Sequence, residues 1–181
     1  SSNESSVVTN NTSIDATAPT LINQSLSQTA SNALQITYQS DETGTLYYVV
    51  TTNSSTPTQA QILAGKDQSG TSTNVVSSGN AAVTVTGSNQ TIALNGLTLA
   101  STTYHVFIYQ ADASSNESSV VTNSAAIDAT APTLTNQALA QTDSDALQIT
   151  YQSNETGTLY YVVTTNSSTP TKAQILAGND Q

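Results

Sequence analysis

Residues 112–134 read DASSNESSVVTNSAAIDATAPTL and contain the end of one structural unit and the start of the next. The same text opens the chain, because residues 1–21 read SSNESSVVTNNTSIDATAPTL, displaced by 113 positions. The match continues to Gln181, and 11 of the 68 positions compared differ, which leaves 57 identical. A repeat with the length of a domain predicts a tandem array of similar units.

The repeat divides the chain into three parts. Residues 1–14 correspond to the C-terminal strand of a preceding unit, residues 15–127 to a complete unit, and residues 128–181 to the N-terminal part of the next. The strand of the first part is predicted at residues 6–9, which read SVVT. Both junctions carry the text DATAP, whose proline restricts the backbone to extended conformations. We therefore expect stiff connections between units.

The charge of the chain excludes one class of partner. Twelve acidic residues and only two basic ones give a formal net charge of −10. Nucleic acids and anionic lipids are bound by clustered lysine and arginine, so nucleic-acid binding is excluded. Disorder is the alternative for so polar a chain. Runs rich in valine, isoleucine and tyrosine, with alternating polarity, favour a folded protein instead.

The remaining composition concerns stability and location. The chain has no cysteine and no methionine, so disulfides and thiolate metal sites are excluded. A unit of 113 residues is long enough to bury one core. No apolar run approaches the ~20 residues that a membrane-spanning helix requires. The polar, weakly charged composition is typical of secreted proteins, and we expect an extracellular location.

Short runs within residues 15–127 alternate apolar and polar side chains, as strands with one buried face do. The predicted strands are residues 33–39, 45–51, 82–86, 90–94, 103–109 and 120–127. Residues 82–86 and 90–94 flank Gly87-Ser-Asn89 and are expected to pair as a hairpin. About seven short strands with frequent turns predict an all-β fold, an antiparallel β-sandwich repeated in tandem.

One short helical turn is predicted near residues 58–64. Thr56 is expected to be its N-cap, with Pro57 in the first helical position, Gln59 in the capping-box position and Gly65 past the end. A helix this short needs tertiary contacts. Ile62 and Leu63 are therefore expected to hold it across a sheet edge.

The end of the complete unit resembles a known family. Residues 96–118 read GLTLASTTYHVFIYQADASSNES, and DATAP follows at 128–132. This text resembles the closing segment of fibronectin type III-like and bacterial Ig-like repeats, and GTLYYVV at 44–50 is similar to the variant common in large repetitive bacterial surface proteins. The resemblance implies tandem Ig-like or fibronectin type III-like sandwiches. Ser115 stands where the family commonly has glycine, so Asn116 is expected to adopt the left-handed conformation.

Acidic and amide side chains gather in the sequence around each junction, and calcium prefers such oxygen ligands. The candidate calcium ligands are Asp112, Asn116, Glu117 and Asp128, together with Asp15 at the earlier junction. The alternative is that Asp112 and Asn116 form a turn by bonding their own backbone, while Asp128 accepts from nearby amides. The sequence leaves both interpretations open.

The residue pattern does not predict an enzyme. His105 is the only histidine, and a catalytic triad or a zinc site needs partners that local spacing does not provide. Asp41 and Glu42 are the obvious carboxylate pair, but Asp41 corresponds to Asn154 in the next copy. We therefore interpret this pair as part of a turn.

Two functions from different classes remain. The first is a structural extender of a long bacterial cell-surface adhesin, which contacts neighbouring repeats of its own chain and projects a domain that binds host or matrix glycans or proteins. The second is a glycan- or protein-binding module that uses an exposed aromatic face of Tyr47, Phe107 and Tyr109, with repetition supplying avidity. A filament subunit completed by strands from neighbouring chains is a further alternative.

Overall fold

The structure is a computed structural model that describes residues 13–98 and 102–179. The chain divides into two compact units, unit 1 (Ser1–Thr130) and unit 2 (Ala131–Gln181). The strand expected at residues 6–9 lies outside the described residues.

Unit 1 consists of two antiparallel sheets. Its described residues form seven strands and one helix: β1 Leu21–Ala30, β2 Ala33–Ser40, β3 Gly44–Thr51, α1 Gln59–Leu63, β4 Val75–Val83, β5 Gln90–Leu94, β6 Thr103–Ala111 and β7 Val121–Ala126. One sheet has the order β1-β2-β5 and the other the order β4-β3-β6-β7. Every pairing is antiparallel, which confirms the prediction of an all-β fold.

The main core lies between the two sheets, because one buried cluster takes side chains from both. Strand β2 contributes Leu34, Ile36 and Tyr38, and strand β6 contributes alternate residues that include Val106 and Ile108. This is the expected result of the alternation, since successive side chains of a strand point to opposite faces. The alternation thus decides which face of each sheet is buried.

A second cluster covers the outer face of the four-stranded sheet. Ile62 of α1 packs there with Val49, Phe107 and Tyr109. The rings of Tyr47 and Tyr109 stack with their centroids 5.2 Å apart. The expectation of an exposed aromatic face is therefore wrong, because α1 lies across it and buries Phe107 and Tyr109.

Helix α1 is close to the predicted position, but its cap is two residues later than expected. Thr58 is the N-cap, and Gln61 completes the capping box with it. Thr56 and Thr58 each have a glutamine three residues later, Gln59 and Gln61, so the local sequence allows either threonine to be the N-cap of a capping box. Burial of Pro57 and Ile62 selects the observed frame. Leu63 is exposed and does not hold the helix.

The predicted hairpin of residues 82–86 and 90–94 is wrong. Strand β4 begins at Val75 and pairs with β3, whereas β5 pairs with β2 in the other sheet. The sequence pattern did not predict the first part of β4, because this part contains Ser77, Ser78 and then glycine, asparagine and alanine, which are depleted in strands. Gly79 fits there since a Cβ atom would lie 2.9 Å from the Tyr48 hydroxyl oxygen.

Strand β1 was not predicted either. Its text, LINQSLSQTA, is mostly polar and exposed, and only Leu21 is buried. Pairing with β2 defines it, with a register shift after Ile22. Asn23 adopts a positive φ of 54° at this irregularity, and its side-chain amide donates to the Gln39 side-chain oxygen at 2.7 Å.

Unit 2 contains a two-stranded sheet and a short helix in its described part. The elements are β8 Leu134–Asp143, β9 Ala146–Ser153 and α2 Lys172–Ala177, with β8 antiparallel to β9. They correspond to β1, β2 and α1 of unit 1. Among the residues that the structure describes, no helix is long and apolar enough to cross a membrane.

Candidate functional site

Three carboxylates converge at one end of unit 1. Oxygen atoms of Asp15, Glu42 and Asp112 all lie within 4.8 Å of one another. Asp15 precedes β1, Glu42 lies in the turn between β2 and β3, and Asp112 directly follows β6. We call these three residues the acidic cluster. It joins segments that are 27 to 97 residues apart in the chain.

The sheet and a side-chain contact bring these segments together. Thr45 at the start of β3 pairs with Ala111 at the end of β6, which places the Glu42 turn beside Asp112. The approach is so close that a Cβ atom on Gly44 would lie 2.2 Å from the carbonyl oxygen of Ala111. The Asp41 carboxylate accepts from the Thr20 amide at 2.6 Å and so ties the segment after Asp15 to the same turn.

The loop after β6 is closed by Asp112. Its Oδ1 accepts from the amides of Ser114 and Asn116 at 2.8 Å each, and its Oδ2 accepts from the Asn116 side chain at 2.8 Å. The hydrogen bonds from Asn116 hold the pKa of Asp112 below its usual range. The turn-forming interpretation is therefore confirmed for Asp112, whereas the Asn116 side chain bonds the Asp112 carboxylate and the Asp15 backbone and not its own backbone.

The left-handed residue of this loop is Ser115, with φ of 67°, and not Asn116 as expected. Asn116 is instead occupied by two hydrogen bonds from its side-chain amide, to Asp112 Oδ2 and to the backbone oxygen of Asp15 at 3.2 Å. The positive φ that closes the turn is therefore at position 115.

Glu42 has the opposite electrostatic behaviour to Asp112. Loss of solvent around the carboxyl group raises its pKa, and the carboxylates of Asp15, Asp112 and Asp41 raise it further. Its backbone oxygen accepts from the buried side-chain amide of Gln110 at 2.8 Å. The negative charge of Glu42 is thus held near like charges without a basic partner in the cluster.

The structure brings together some of the predicted calcium ligands and separates others. Asp15 and Asp112 meet, and Asn116 contacts both of them. Glu117 is exposed between β6 and β7, where it forms an isolated bridge with Ala111, and its carboxylate adds to the effect of burial in raising the pKa of Tyr109.

Asp128 lies at the other end of β6. Thr103 at the start of β6 pairs with Ala126, just before Asp128, whereas Asp112 follows the end of that nine-residue strand. At about 3.3 Å per residue the two ends are on the order of 25 Å apart. Gln28 holds Asp128 there, donating to its backbone oxygen at 2.7 Å and accepting from its amide at 3.0 Å.

The acidic cluster has the chemistry of a hard-cation site. Three carboxylates from three separate segments supply the oxygen ligands that Ca²⁺ takes, and a cation would offset the repulsion that raises the pKa of Glu42. Calcium binding here stays a prediction. Glu42 is not among the candidate ligands that the sequence indicates, because its spacing shows it only as a turn residue and its approach to Asp112 depends on the pairing of β3 with β6.

A second carboxylate, Asp67, has a structural environment that the sequence did not indicate. It is fully buried in the loop between α1 and β4. Its oxygens accept from the Ser69 hydroxyl and amide, from Asn74 at 3.0 Å and from Asn53 at 3.4 Å. These hydrogen bonds lower the pKa of Asp67 to about 2, and the one from the Ser69 hydroxyl contributes most. The Asp67 carboxylate therefore holds this loop together as an anion that accepts hydrogen bonds from uncharged donors.

His105 is half-buried in β6, where it pairs with Thr51 on one side and Ser124 on the other. Among the described residues, the acidic cluster is the one group of three or more metal-ligating side chains, and it does not include His105. Comparison with known proteins found no family model, no curated protein and no solved structure that matches this chain.

Proposed function

We propose that this chain is part of a tandem array of Ig-like or fibronectin type III-like β-sandwich units that acts as a structural extender. In this proposal the array belongs to a secreted bacterial cell-surface adhesin or filament, and it projects a binding domain from the cell. Its direct partners are the neighbouring units of its own chain. Host or matrix glycans and proteins are contacted by other domains. The extender itself performs no reaction.

The strand order of unit 1 supports the Ig-like part of this proposal. Ig constant-type domains place strands A, B, E and D in one sheet and C, F and G in the other. In unit 1 the first, second and fifth strands form one sheet, and the third, sixth and seventh lie together in the other. The difference is the fourth strand, β4, which pairs with β3 instead of β5. Fibronectin type III domains share this architecture with such variations.

The observation that carries the extender proposal is how the repeated aspartate at each junction is held. Thr17 donates its amide to the Asp15 carboxylate at 3.1 Å, and Thr130 does the same to Asp128 at 2.9 Å. The backbone of Asp128 is also clamped by Gln28, and that of Asp15 accepts from Asn116. An anchored connector that contains proline is what a stiff spacer requires.

The binding-module alternative has lost its main support. It required Tyr47, Phe107 and Tyr109 to form an exposed surface, but Phe107 and Tyr109 are buried under α1 and Tyr47 stacks on Tyr109. The described residues of unit 1 therefore offer no aromatic platform for a glycan at this place.

The test is small-angle scattering of a chain with two complete units, made by repeating residues 15–127. We expect one extended shape with a narrow distribution of maximum dimensions. The matched control replaces Ala131 and Pro132 by glycine in the junction and is expected to broaden that distribution, because glycine removes the backbone restriction. A broad distribution for the unchanged junction would contradict the extender proposal.

A further inference from the structure

Unit 2 exposes a set of apolar side chains whose counterparts in unit 1 are buried. Leu34, Ile36 and Tyr38 of β2 are 0%, 1% and 1% exposed, whereas the equivalent residues of β9 are 55%, 37% and 46% exposed. The β9 residues are Leu147, Ile149 and Tyr151. They line an open cleft of about 1030 Å³ together with residues that include Leu159 and Val163. We call this surface of unit 2 the open face.

In unit 1 the corresponding surface is covered by one continuous part of the chain. We define residues 15–68 and their copy 128–181 as first-half segments, and residues 69–127 as the second-half segment. The second-half segment supplies β5, which pairs with β2, and it supplies β4 and β6, which flank β3. From it come Leu94, Val106 and Ile108, which pack against Leu34 and Ile36 in the core cluster.

The two first-half segments differ at eight positions, and none of them is in the core. Seven are exposed in unit 1 and the eighth, Gln59, is half-buried. The positions are 22, 25, 27, 30, 32, 41, 59 and 66. Every buried residue of the first half is thus repeated without change in residues 128–181. The open face therefore presents the same apolar pattern that the second-half segment already fits in unit 1.

The substitution at position 59, the one that is not fully exposed, preserves a hydrogen-bond donor between the first-half and second-half segments. The Gln59 side-chain amide donates to the backbone oxygen of Ser118, in the second-half segment, at 2.8 Å. Its counterpart is Lys172, whose ammonium group can also donate to a carbonyl oxygen. The replacement retains a donor where the second-half segment offers an acceptor.

We propose that the open face of unit 2 is the docking surface for a second copy of the second-half segment, residues 69–127. This rests on the proposed function, since it takes the array to be built from half-sandwiches that complete one another. The β5-type strand pairs with β9, and the β4- and β6-type strands flank residues 157–164. That docking converts residues 157–164 into a strand equivalent to β3.

The experiment compares residues 1–181 with the same residues extended by a repeat of residues 69–127 directly after Gln181, which continues the sequence in register because Gln181 corresponds to Gln68. Hydrogen exchange is measured at the amides of residues 147–151, the counterparts of the β2 residues that pair with β5. We expect these amides to exchange at least ~100-fold more slowly in the extended chain. Tyrosine fluorescence should report burial of Tyr151 at the same time.

The matched control carries Val106→Asp and Ile108→Asp in the added copy only, so that unit 1 is unchanged. It should leave residues 147–151 exchanging as in the original chain. Equal exchange in the original and extended chains would overturn the proposal. So would protection of these amides in the original chain through self-association, seen by sedimentation, because a whole second copy would then be the occupant. Failure of the extender proposal can be distinguished from this, because it would broaden the distribution of maximum dimensions in small-angle scattering and would leave the amide exchange of β9 unaffected.

Discussion

Residues 44–51 and 157–164 have the identical sequence GTLYYVVT, yet they adopt different structures. In unit 1 this text is strand β3, paired on both sides with β4 and β6. In unit 2 none of the residues 157–164 is in a strand. Because the hydrogen bonds of a strand are made to other segments, its text alone does not form it. The comparison shows that β3 depends on the second half of its unit.

Other elements are the same in both units. Helices α1 and α2 have the same capping box, formed by Thr58 with Gln61 and by Thr171 with Gln174. The hairpins β1–β2 and β8–β9 have the same register shift, with Asn23 and Asn136 at positive φ of 54° and 52°. These elements use partners within about 20 residues, which both units contain. Elements built from contacts between residues close in the chain are therefore the same in both units.

The largest expected effect comes from the same substitution made at a core position of unit 1 and at its exposed counterpart in unit 2. Ile36→Ala should lower the free energy of unfolding of unit 1 by about 2–5 kcal/mol, because it leaves a cavity between the sheets. Ile149→Ala removes the same atoms from an exposed position and should cost less than about 1 kcal/mol. Both losses of unfolding free energy are measured by denaturant unfolding that is monitored through hydrogen exchange of the amides in β2 and β9. Equal losses would show that the two strands are equally buried in solution.

Calcium should stabilise unit 1 if the acidic cluster binds it. At a hundredfold excess over Kd, a ligand bound only by the folded state should raise the melting temperature by about 10 °C. Glu42→Gln should abolish this increase, and calorimetry with added calcium or chelator measures it. The matched control is Glu155→Gln, because the described part of unit 2 contains no group of three such ligands. An unchanged melting temperature of the original chain with calcium would leave only the turn-forming role.

A methyl group at the first glycine of GTLYYVVT should have unequal effects in the two units. Gly44→Ala should destabilise unit 1 by about 1–3 kcal/mol, because its Cβ atom would overlap the carbonyl oxygen of Ala111. Gly157→Ala meets no atom within 4 Å and should be nearly neutral. Thermal unfolding of the two variants, monitored by circular dichroism, gives the comparison. Similar destabilisation by both would mean that residues 157–164 are packed as β3 is.

The smallest expected effect concerns Asp67, which closes a loop of unit 1. Its pKa is lowered from 3.8 to about 2, so its stabilising effect is present above about pH 4 and is lost as the pH falls towards 2. Asp67→Asn should lower the melting temperature by about 5 °C at neutral pH, since an amide replaces an acceptor among donors.

Acid titration of the melting temperature provides the check on Asp67. The original chain should lose stability between about pH 4 and pH 2, and the variant should lose less over that interval. Asp41→Asn is a suitable control, because Asn154 makes the same contact in unit 2, accepting from the Thr133 amide at 2.6 Å. Identical acid profiles for the original chain and the Asp67 variant would contradict the assignment.

Part of the acidic cluster could be predicted from the sequence, and part could not. The repeat places Asp15 and Asp112 beside the junctions, together with Asn116, which bonds to both, and the sequence therefore predicts these three as candidate ligands. Asp128 was grouped with them because it is near Asp112 in sequence, although β6 and β7 carry it to the far end of the unit. Glu42 was missed because it reaches the cluster only through the pairing of β3 with β6. Neighbours in the sequence and neighbours in the sheet are different sets.

The sequence by itself determined the repeat, the all-β class, the alternation that buries Leu34 and Ile36, and the presence of the short helix, but not which threonine caps it. All of these depend on periodicity or on contacts between residues close in the chain. Only the tertiary structure decided that β4 joins β3, that α1 covers Phe107 and Tyr109, and that three distant carboxylates meet. The physical reason is that strand pairing and sheet packing are satisfied by partners far along the chain. The same eight residues can therefore be a buried strand in one unit and lack strand structure in the other.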